Sequence, residues 1–297
     1  MTKPKIIFMG TPVFAIKALE ALINNCEVLA VITMPSRPVG RKKIIAPTPI
    51  NVLATKHNIP VFTPEKIASL TTTIQNLNPD FIVSCAYGQI IPEDILTIPK
   101  YFSLNIHASL LPKYRGAAPI QRAIMAGESE TGITIMEMAA GLDTGDIFAI
   151  ETIKITDQDT YQTIHDQLSE MGSKLIVKTI FNIINNQYQK IPQVGHAATY
   201  AYKITKADEE IDFNNHTMLI FNQIRALNPN PGAFSPDLSM KIYDVSYEII
   251  DHQLPPGRMV TGSDLRITTQ DGYIIVKSLK LPNRGLISAT DYLNQIK

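Results

Sequence analysis

Asn105 and His107 stand two residues apart in the stretch NIHAS, and Asp143 follows in AAGLDTGDI. Side chains at i and i+2 of an extended segment point the same way, so Asn105 and His107 share a face, with Ile106 opposite. The surrounding run FSLNIHAS (102–109) is apolar enough for a buried strand, and it places two polar groups where that strand runs out into a loop. An amide supplies a neutral N–H donor. An imidazole, with an ordinary pKa of about 6.5, donates or accepts at neutral pH. Two such groups can hold the negative oxygen of a tetrahedral intermediate, often the largest contribution to acyl transfer. A hydrogen-bonded pair that merely closes the loop accounts for the same residue types, because buried polar groups are normally paired. Asp143, flanked by Gly141 and Gly145, can orient the imidazole, balance its charge or relay a proton. An aspartate in a glycine-rich turn also has purely local reasons to be there, and Asp146 reads as the turn residue before the next strand.

Other chemistries lack their residues. There is no G-x-S-x-G elbow and no Cys/His pairing for a covalent acyl-enzyme. Cys26 and Cys85 form no C-x-x-C, and no H-E-x-x-H run suggests a catalytic metal. Asn, His and Asp without a nucleophile suit direct attack by a substrate amine on an activated acyl group. Two further segments sit where ligands bind in α/β sheets. Gly10-Thr11-Pro12 follows the first apolar run but lacks the remaining glycines of a dinucleotide fingerprint. A tight turn with Pro12 opening a helix explains it, and so does a polar-group site at a helix start. SRPVGRKK (36–43) gathers Arg37, Arg41, Lys42 and Lys43, as a solvated loop or as an arm that grips phosphates.

The elements that must position these residues are legible as alternating periods. Apolar runs at 6–9, 28–33, 81–86 and 102–109 read as buried strands. Helix-like stretches lie at 13–24, 48–58, after 117, and from about 161 to 186. TGITIMEM (131–138) alternates and reads as half-buried. Continuous Val/Ile strands between helices predict a parallel sheet covered on both faces. Near residue 187 the pattern breaks, and 189–206 reads as a linker between a domain at 1–188 and another at 207–297. The second has one helix (about 216–227) and then short strands separated by Gly, Pro and Asp-Gly turns, the pattern of a small β-barrel or sandwich. Over 297 residues Lys plus Arg and Asp plus Glu balance at 27 each, so no global basic field announces a nucleic-acid partner. Residues 207–297 carry 8 Lys and Arg against 11 Asp and Glu. No secretory segment and no run long enough to span a bilayer is found, so the expectation is a soluble, cytoplasmic protein, with a monomer as the default.

NIHASLLPKYRGAAPIQRAI followed by GITIMEMAAGLDTGDI resembles the active-site signature of the 10-formyltetrahydrofolate-dependent formyltransferases. The flanking pieces IIFMGTPVFA, RPVGRKK, PTPINVLA, AYGQIIP, YAYKITKADEEIDF and IRALNPNPGAF resemble the branch that formylates methionyl-tRNA, in order, over nearly the whole chain. The resemblance implies a Rossmann-like catalytic domain followed by an OB-like barrel that supports the acceptor arm of the tRNA. It implies Asn105, His107 and Asp143 as the catalytic trio and no metal. It implies a folate loop at Ser109, Leu110, Leu111 and Pro112, and a pterin-lining segment at Ala86, Tyr87, Gly88, Gln89 and Ile90. It implies that Gly10, Thr11, Pro12, Phe14, Arg37, Arg41, Lys42 and Lys43 bind the substrate, initiator methionyl-tRNA, with the lining around Phe14 at the methionine side chain and Arg41 near the acceptor end. The chain departs from the family at Asn230, where a Trp is common; it contains no Trp. The nearest rivals are the same transfer to an amino-sugar nucleotide or to glycinamide ribonucleotide, and hydrolysis of the folate with water as nucleophile.

Overall fold

The computed structural model describes residues 3–39 and 44–296. The chain divides into two compact units that interleave along the sequence. The first comprises residues 1–115, 132–153 and 165–200, and the second 116–131, 154–164 and 201–297. The segment 189–206, read above as a linker, therefore divides at Tyr200. Its first part is bonded into the first unit, because Ile191 exchanges two hydrogen bonds with Ile147.

The first unit is built on a seven-stranded sheet. Its strands are β1 (Lys5–Gly10), β2 (Glu27–Ile32), β3 (Val61–Phe62), β4 (Phe81–Cys85), β5 (Phe102–His107), β6 (Glu130–Glu137) and β7 (Ile147–Lys154), in the spatial order β7-β6-β5-β4-β1-β2-β3. The pairs β1–β2, β1–β4, β2–β3 and β4–β5 are parallel, whereas β5 and β6 run antiparallel. Ile6, Ile7, Phe8 and Met9 are all fully buried, as a strand covered on both faces requires. One cover is a cluster including Ile7, Met9, Ile67, Ile74, Ile82 and Ile95. Another is the helix Tyr161–Ile184, whose Gly172 lies against Ile106 and Ile133; a Cβ there would meet Ile106 at 2.9 Å.

Strand β6 is not half-buried as its alternation predicts. Residues 131–136 are buried throughout, because the polar positions find internal partners: the Thr134 hydroxyl donates to the Ser109 carbonyl at 2.7 Å. The first helix is also shorter than expected. Pro12 opens a single 3₁₀ turn, Val13–Ala15, and the α-helix proper runs Ile16–Asn25. Thr48 caps the helix Pro49–Lys56 by accepting from the Asn51 N–H at 3.1 Å, with proline in the first turn where no donor is lost. Helices at Thr71–Leu77 and Ala289–Ile296 are additional to those read from sequence; the second sets Ala289, Tyr292, Leu293 and Ile296 on one face, at helix spacing.

The second unit holds two four-stranded antiparallel sheets. One joins Ala233–Ser235, Met240–Ile242, Ser278–Lys280 and Leu286–Ser288, and the other Val245–Ile249, Gly272–Val276, Leu265–Thr268 and Met259–Thr261. Their inner faces share one core with the helix Thr217–Ala226, through Ile220, Phe221 and Ile224 against Ile242, Ile267, Ile274 and Leu279. The helix Pro119–Met125 belongs to this unit. Its Arg122 donates to both carboxylate oxygens of Asp208, at 2.6 and 3.0 Å. Among the described residues no helix is long and apolar enough to cross a membrane.

Candidate active site

Strand β5 delivers its polar face at the carboxyl ends of the parallel strands. Asn105 pairs in register with Ser84 on one side and Met136 on the other, and His107 with Thr134. Ile106, between them, faces the long helix, so Asn105 and His107 share the opposite face. Asn105 is half-buried, and among the described residues nothing hydrogen-bonds its side-chain amide. His107 is 6% exposed. Its Nε2 lies 3.0 Å from the Tyr114 carbonyl. A carbonyl only accepts, so Nε2 carries a hydrogen, and Nδ1 is the nitrogen left to exchange a proton.

Nδ1 faces Asp143, whose Oδ2 is 3.6 Å away. That is an ion-pair separation and too long for a hydrogen bond, which leaves Nδ1 available to a third group. Asp143 sits in the loop that joins β6 to β7, closed by the Glu137 N–H donating to the Asp146 carbonyl at 2.8 Å. Asp143 has φ of +49°, a left-handed conformation that costs an ordinary residue about 1–2 kcal/mol and that aspartate tolerates better than most. The turn is compact because Gly145 allows it: a Cβ there would stand 2.0 Å from the Glu137 carbonyl oxygen.

The remaining residues singled out from sequence divide by what their side chains do. Thr11 donates to the Tyr87 carbonyl at 2.6 Å, tying the end of β1 to the turn after β4. Gly10 has no room for a side chain, since a Cβ would meet the Phe8 ring at 2.7 Å. Pro12 is exposed, and Phe14 is buried, its ring edge-on to His165 at 5.2 Å. In the turn after β4, Ala86 and Gly88 are exposed, with φ of +48° and +101°. Ile90 is 90% exposed. Tyr87 instead points into the core, and its hydroxyl has no hydrogen-bond partner among the described residues; burial pushes its pKa up to about 12. The Gln89 amide accepts from the Ile67 N–H at 2.9 Å and donates to the Pro64 carbonyl at 3.0 Å. In the loop after β5, Ser109 is fully buried and donates to the Lys113 carbonyl at 2.7 Å. Leu111 packs with Met136 and Ile147. Leu110 and Pro112 are half-buried, and the Leu111–Pro112 peptide is cis. Arg37 is exposed, 3.4 Å from Glu65. Arg41, Lys42 and Lys43 lie outside the described residues. Among the described residues no three His, Cys, Asp or Glu side chains gather as a metal site.

Sequence reasoning missed Arg115 and Gln193. The buried Arg115 donates from Nε and Nη2 to the Gln193 Oε1, at 3.1 and 2.6 Å. Gln193 Nε2 in turn donates to the carbonyls of Asp143 and Gly145, at 2.9 and 2.8 Å. Gln193 lies in an aperiodic stretch with no local motif to mark it.

Known proteins match this arrangement along the full length of the chain. The formyl transferase family model covers residues 4–180, and that of the formyl transferase C-terminal domain residues 203–297. The methionyl-tRNA formyltransferase of Sulfurihydrogenibium sp. (strain YO3AOP1) is 44% identical over 302 residues, spanning 99% of this chain and 97% of that one. The enzyme of the same name from Staphylococcus epidermidis (strain ATCC 35984) is 43% identical over 300 residues, spanning 99% and 96%. In three dimensions an N-formyltransferase from Helicobacter canadensis, solved with folinic acid and dTDP-3-aminofucose, superposes with a TM-score of 0.72 at 23% identity, covering 93% of this chain and 98% of that one. The last likeness establishes the fold alone. With two family models that together span all but residues 1–3 and 181–202, and relatives above 40% identity from end to end, the chain belongs to the formyl transferase family.

Proposed function

We propose that this chain transfers the formyl group of 10-formyltetrahydrofolate to the α-amino group of initiator methionyl-tRNA. The observation that carries the chemistry is the pairing of His107 Nδ1 with Asp143 Oδ2 at 3.6 Å, beside an Asn105 amide on the same strand face. The choice of acceptor is supported by whole-length similarity to enzymes named for methionyl-tRNA. The turn at 86–90 suits a flat, hydrogen-bonding ring: exposed backbone at Ala86 and Gly88, no side chain on Gly88, and the bare apolar surface of Ile90. The folate donor, when bound there, supplies the activated formyl carbon.

The residues act on the groups brought to them. A free α-amino group has a pKa of about 7.7–8.0, so a useful fraction is neutral and nucleophilic near neutral pH. Asn105 donates its amide N–H to the formyl oxygen as that oxygen gains charge. His107 donates from Nδ1 to the same oxygen, its Nε2–H being held by the Tyr114 carbonyl. Asp143 orients the ring, and its carboxylate accepts the proton that the amine gives up. As the tetrahedral adduct collapses, the bond between the formyl carbon and N10 of the folate breaks and a proton passes to N10, leaving the formamide on the tRNA and free tetrahydrofolate. The first unit carries this chemistry and the second supports the tRNA. Arg37, Arg41, Lys42 and Lys43 engage phosphates near the acceptor end. The protein works as a cytoplasmic monomer.

Incubation with 10-formyltetrahydrofolate and initiator or elongator methionyl-tRNA tests the reading. N-formylmethionine on the initiator species is expected. Formylation of an amino-sugar nucleotide in preference to tRNA would replace the acceptor, and folate turnover with no amine present would mark a hydrolase.

A further inference from the structure

The stretch Lys190 to Gln193 makes more bonds than a connector requires. Ile191 pairs with Ile147 through two hydrogen bonds of 2.9 Å. Lys190 forms ion pairs with Glu137 and Asp146. Gln193 spends its whole amide: both hydrogens go to the carbonyls of Asp143 and Gly145, and its oxygen receives two bonds from Arg115. These contacts fall on the two ends and the middle of one loop, the loop that bears Asp143.

They also close a circuit. Arg115 follows Tyr114, whose carbonyl holds His107 Nε2. Gln193 therefore connects the backbone that fixes the imidazole to the backbone that carries the carboxylate. Asp143 is left-handed and its neighbours Leu142 and Thr144 are exposed, so little apolar packing holds this turn. A left-handed residue persists where its surroundings over-determine it, and the two Gln193 donors bracket it.

We propose that Gln193, anchored by Arg115, is a positioning residue for Asp143: its two N–H groups set the direction in which the carboxylate leaves the chain toward His107 Nδ1. The inference rests on Asp143 and His107 acting in formyl transfer as proposed above.

Gln193→Glu tests it most cleanly, because a glutamate still accepts from Arg115 but donates to neither carbonyl. Gln193→Ala removes all four hydrogen bonds, leaves a buried guanidinium without that acceptor, and should also melt lower. For Gln193→Glu the expected result is a fall in kcat of about 10- to 100-fold, the scale of a small misplacement of a reacting group. KM for the folate and for methionyl-tRNA should stay within about 3-fold. The decisive arm is a cycle with Asp143→Asn, in which Gln193→Glu should have no further effect, since the carboxylate it aims is gone. Wild-type kcat in Gln193→Glu, or an equal loss with and without the Asp143 carboxylate, would overturn the proposal. Full activity in Asp143→Asn alone would instead bring down the reading beneath it, and the proposal with it.

Discussion

Gly145 and Glu137 are in backbone contact across the neck of the loop that carries Asp143, so near that any Cβ on Gly145 would lie 2.0 Å from the Glu137 carbonyl oxygen. No rotamer relieves that clash, because both atoms belong to or hang directly from the main chain. Gly145→Ala must therefore displace the turn that carries Asp143. We expect kcat to fall by about 10-fold or more, accompanied by a lower melting temperature. Unchanged kinetics together with an unchanged melt would show that the neck is not closed in solution.

Removing a donor from the site should cost turnover and little folate binding. Loss of one oxyanion-stabilising group typically costs about 3–4 kcal/mol of transition-state stabilisation. Asn105→Ala and His107→Ala should each lower kcat by roughly a hundredfold or more, with folate affinity largely kept. Near-wild-type turnover in either would remove that residue from the chemistry.

The Arg122–Asp208 pair gives the second unit an acid limb. Hydrogen bonding to Arg122 holds the Asp208 carboxyl down to about 2. Because the folded pKa is depressed, the stabilisation is complete above the unfolded value of about 3.9 and fades as pH falls toward about 2. Arg122→Ala should cost about 1.5–3 kcal/mol at neutral pH. The gap between wild type and variant should narrow as pH drops below about 4, as thermal melts across pH 2–7 would reveal.

Tyr87 makes the opposite prediction at high pH. Burial raises its pKa to about 12, so its contribution is present below the unfolded value of about 10 and is lost as pH rises through the folded one. Its hydroxyl has no partner among the described residues, and Tyr87→Phe removes a group that is costly to bury. The variant should be at least as stable as wild type at neutral pH, lose that part of the alkaline slope, and keep its KM for folate. A marked rise in folate KM would place the hydroxyl in the ligand site instead.

If the basic loop grips tRNA phosphates, then replacing Arg41, Lys42 and Lys43 together with Ala should raise the KM for methionyl-tRNA far more than that for folate. It should also flatten the salt dependence of tRNA binding by about one slope unit for each phosphate no longer neutralised. The acidic balance of residues 207–297 makes this loop the first place to look. An unaltered salt slope would point to another basic face.

How much is legible in the sequence follows from how local each signal is. Asn105 and His107 are legible because a strand's period of two fixes their common face, and the following loop fixes which end they occupy. The parallel sheet is legible in Val/Ile runs such as Ile6–Met9, buried on both sides. Strand β6 departs from its alternation because Thr134 looks like a solvent-facing residue until its hydroxyl is seen to bind the Ser109 carbonyl. At Thr11 and Gln89 the motif marks the positions but not the bonds that their hydroxyl and amide make to backbone groups of neighbouring turns. Gln193 is invisible for a related reason: a side chain that bonds backbone carbonyls far away in sequence leaves no period, cap or spacing behind it.

The interleaving of the two units also bears on the order in which the protein can mature. Residues 116–131 and 154–164 leave the ribosome well before residues 201–297, with which they share a unit. Met125, for example, packs on a core that includes Phe221, Ile242 and Leu279. During synthesis these early stretches wait with apolar surface uncovered until the last third of the chain emerges, and a protein ending near residue 200 would carry that sticky surface permanently.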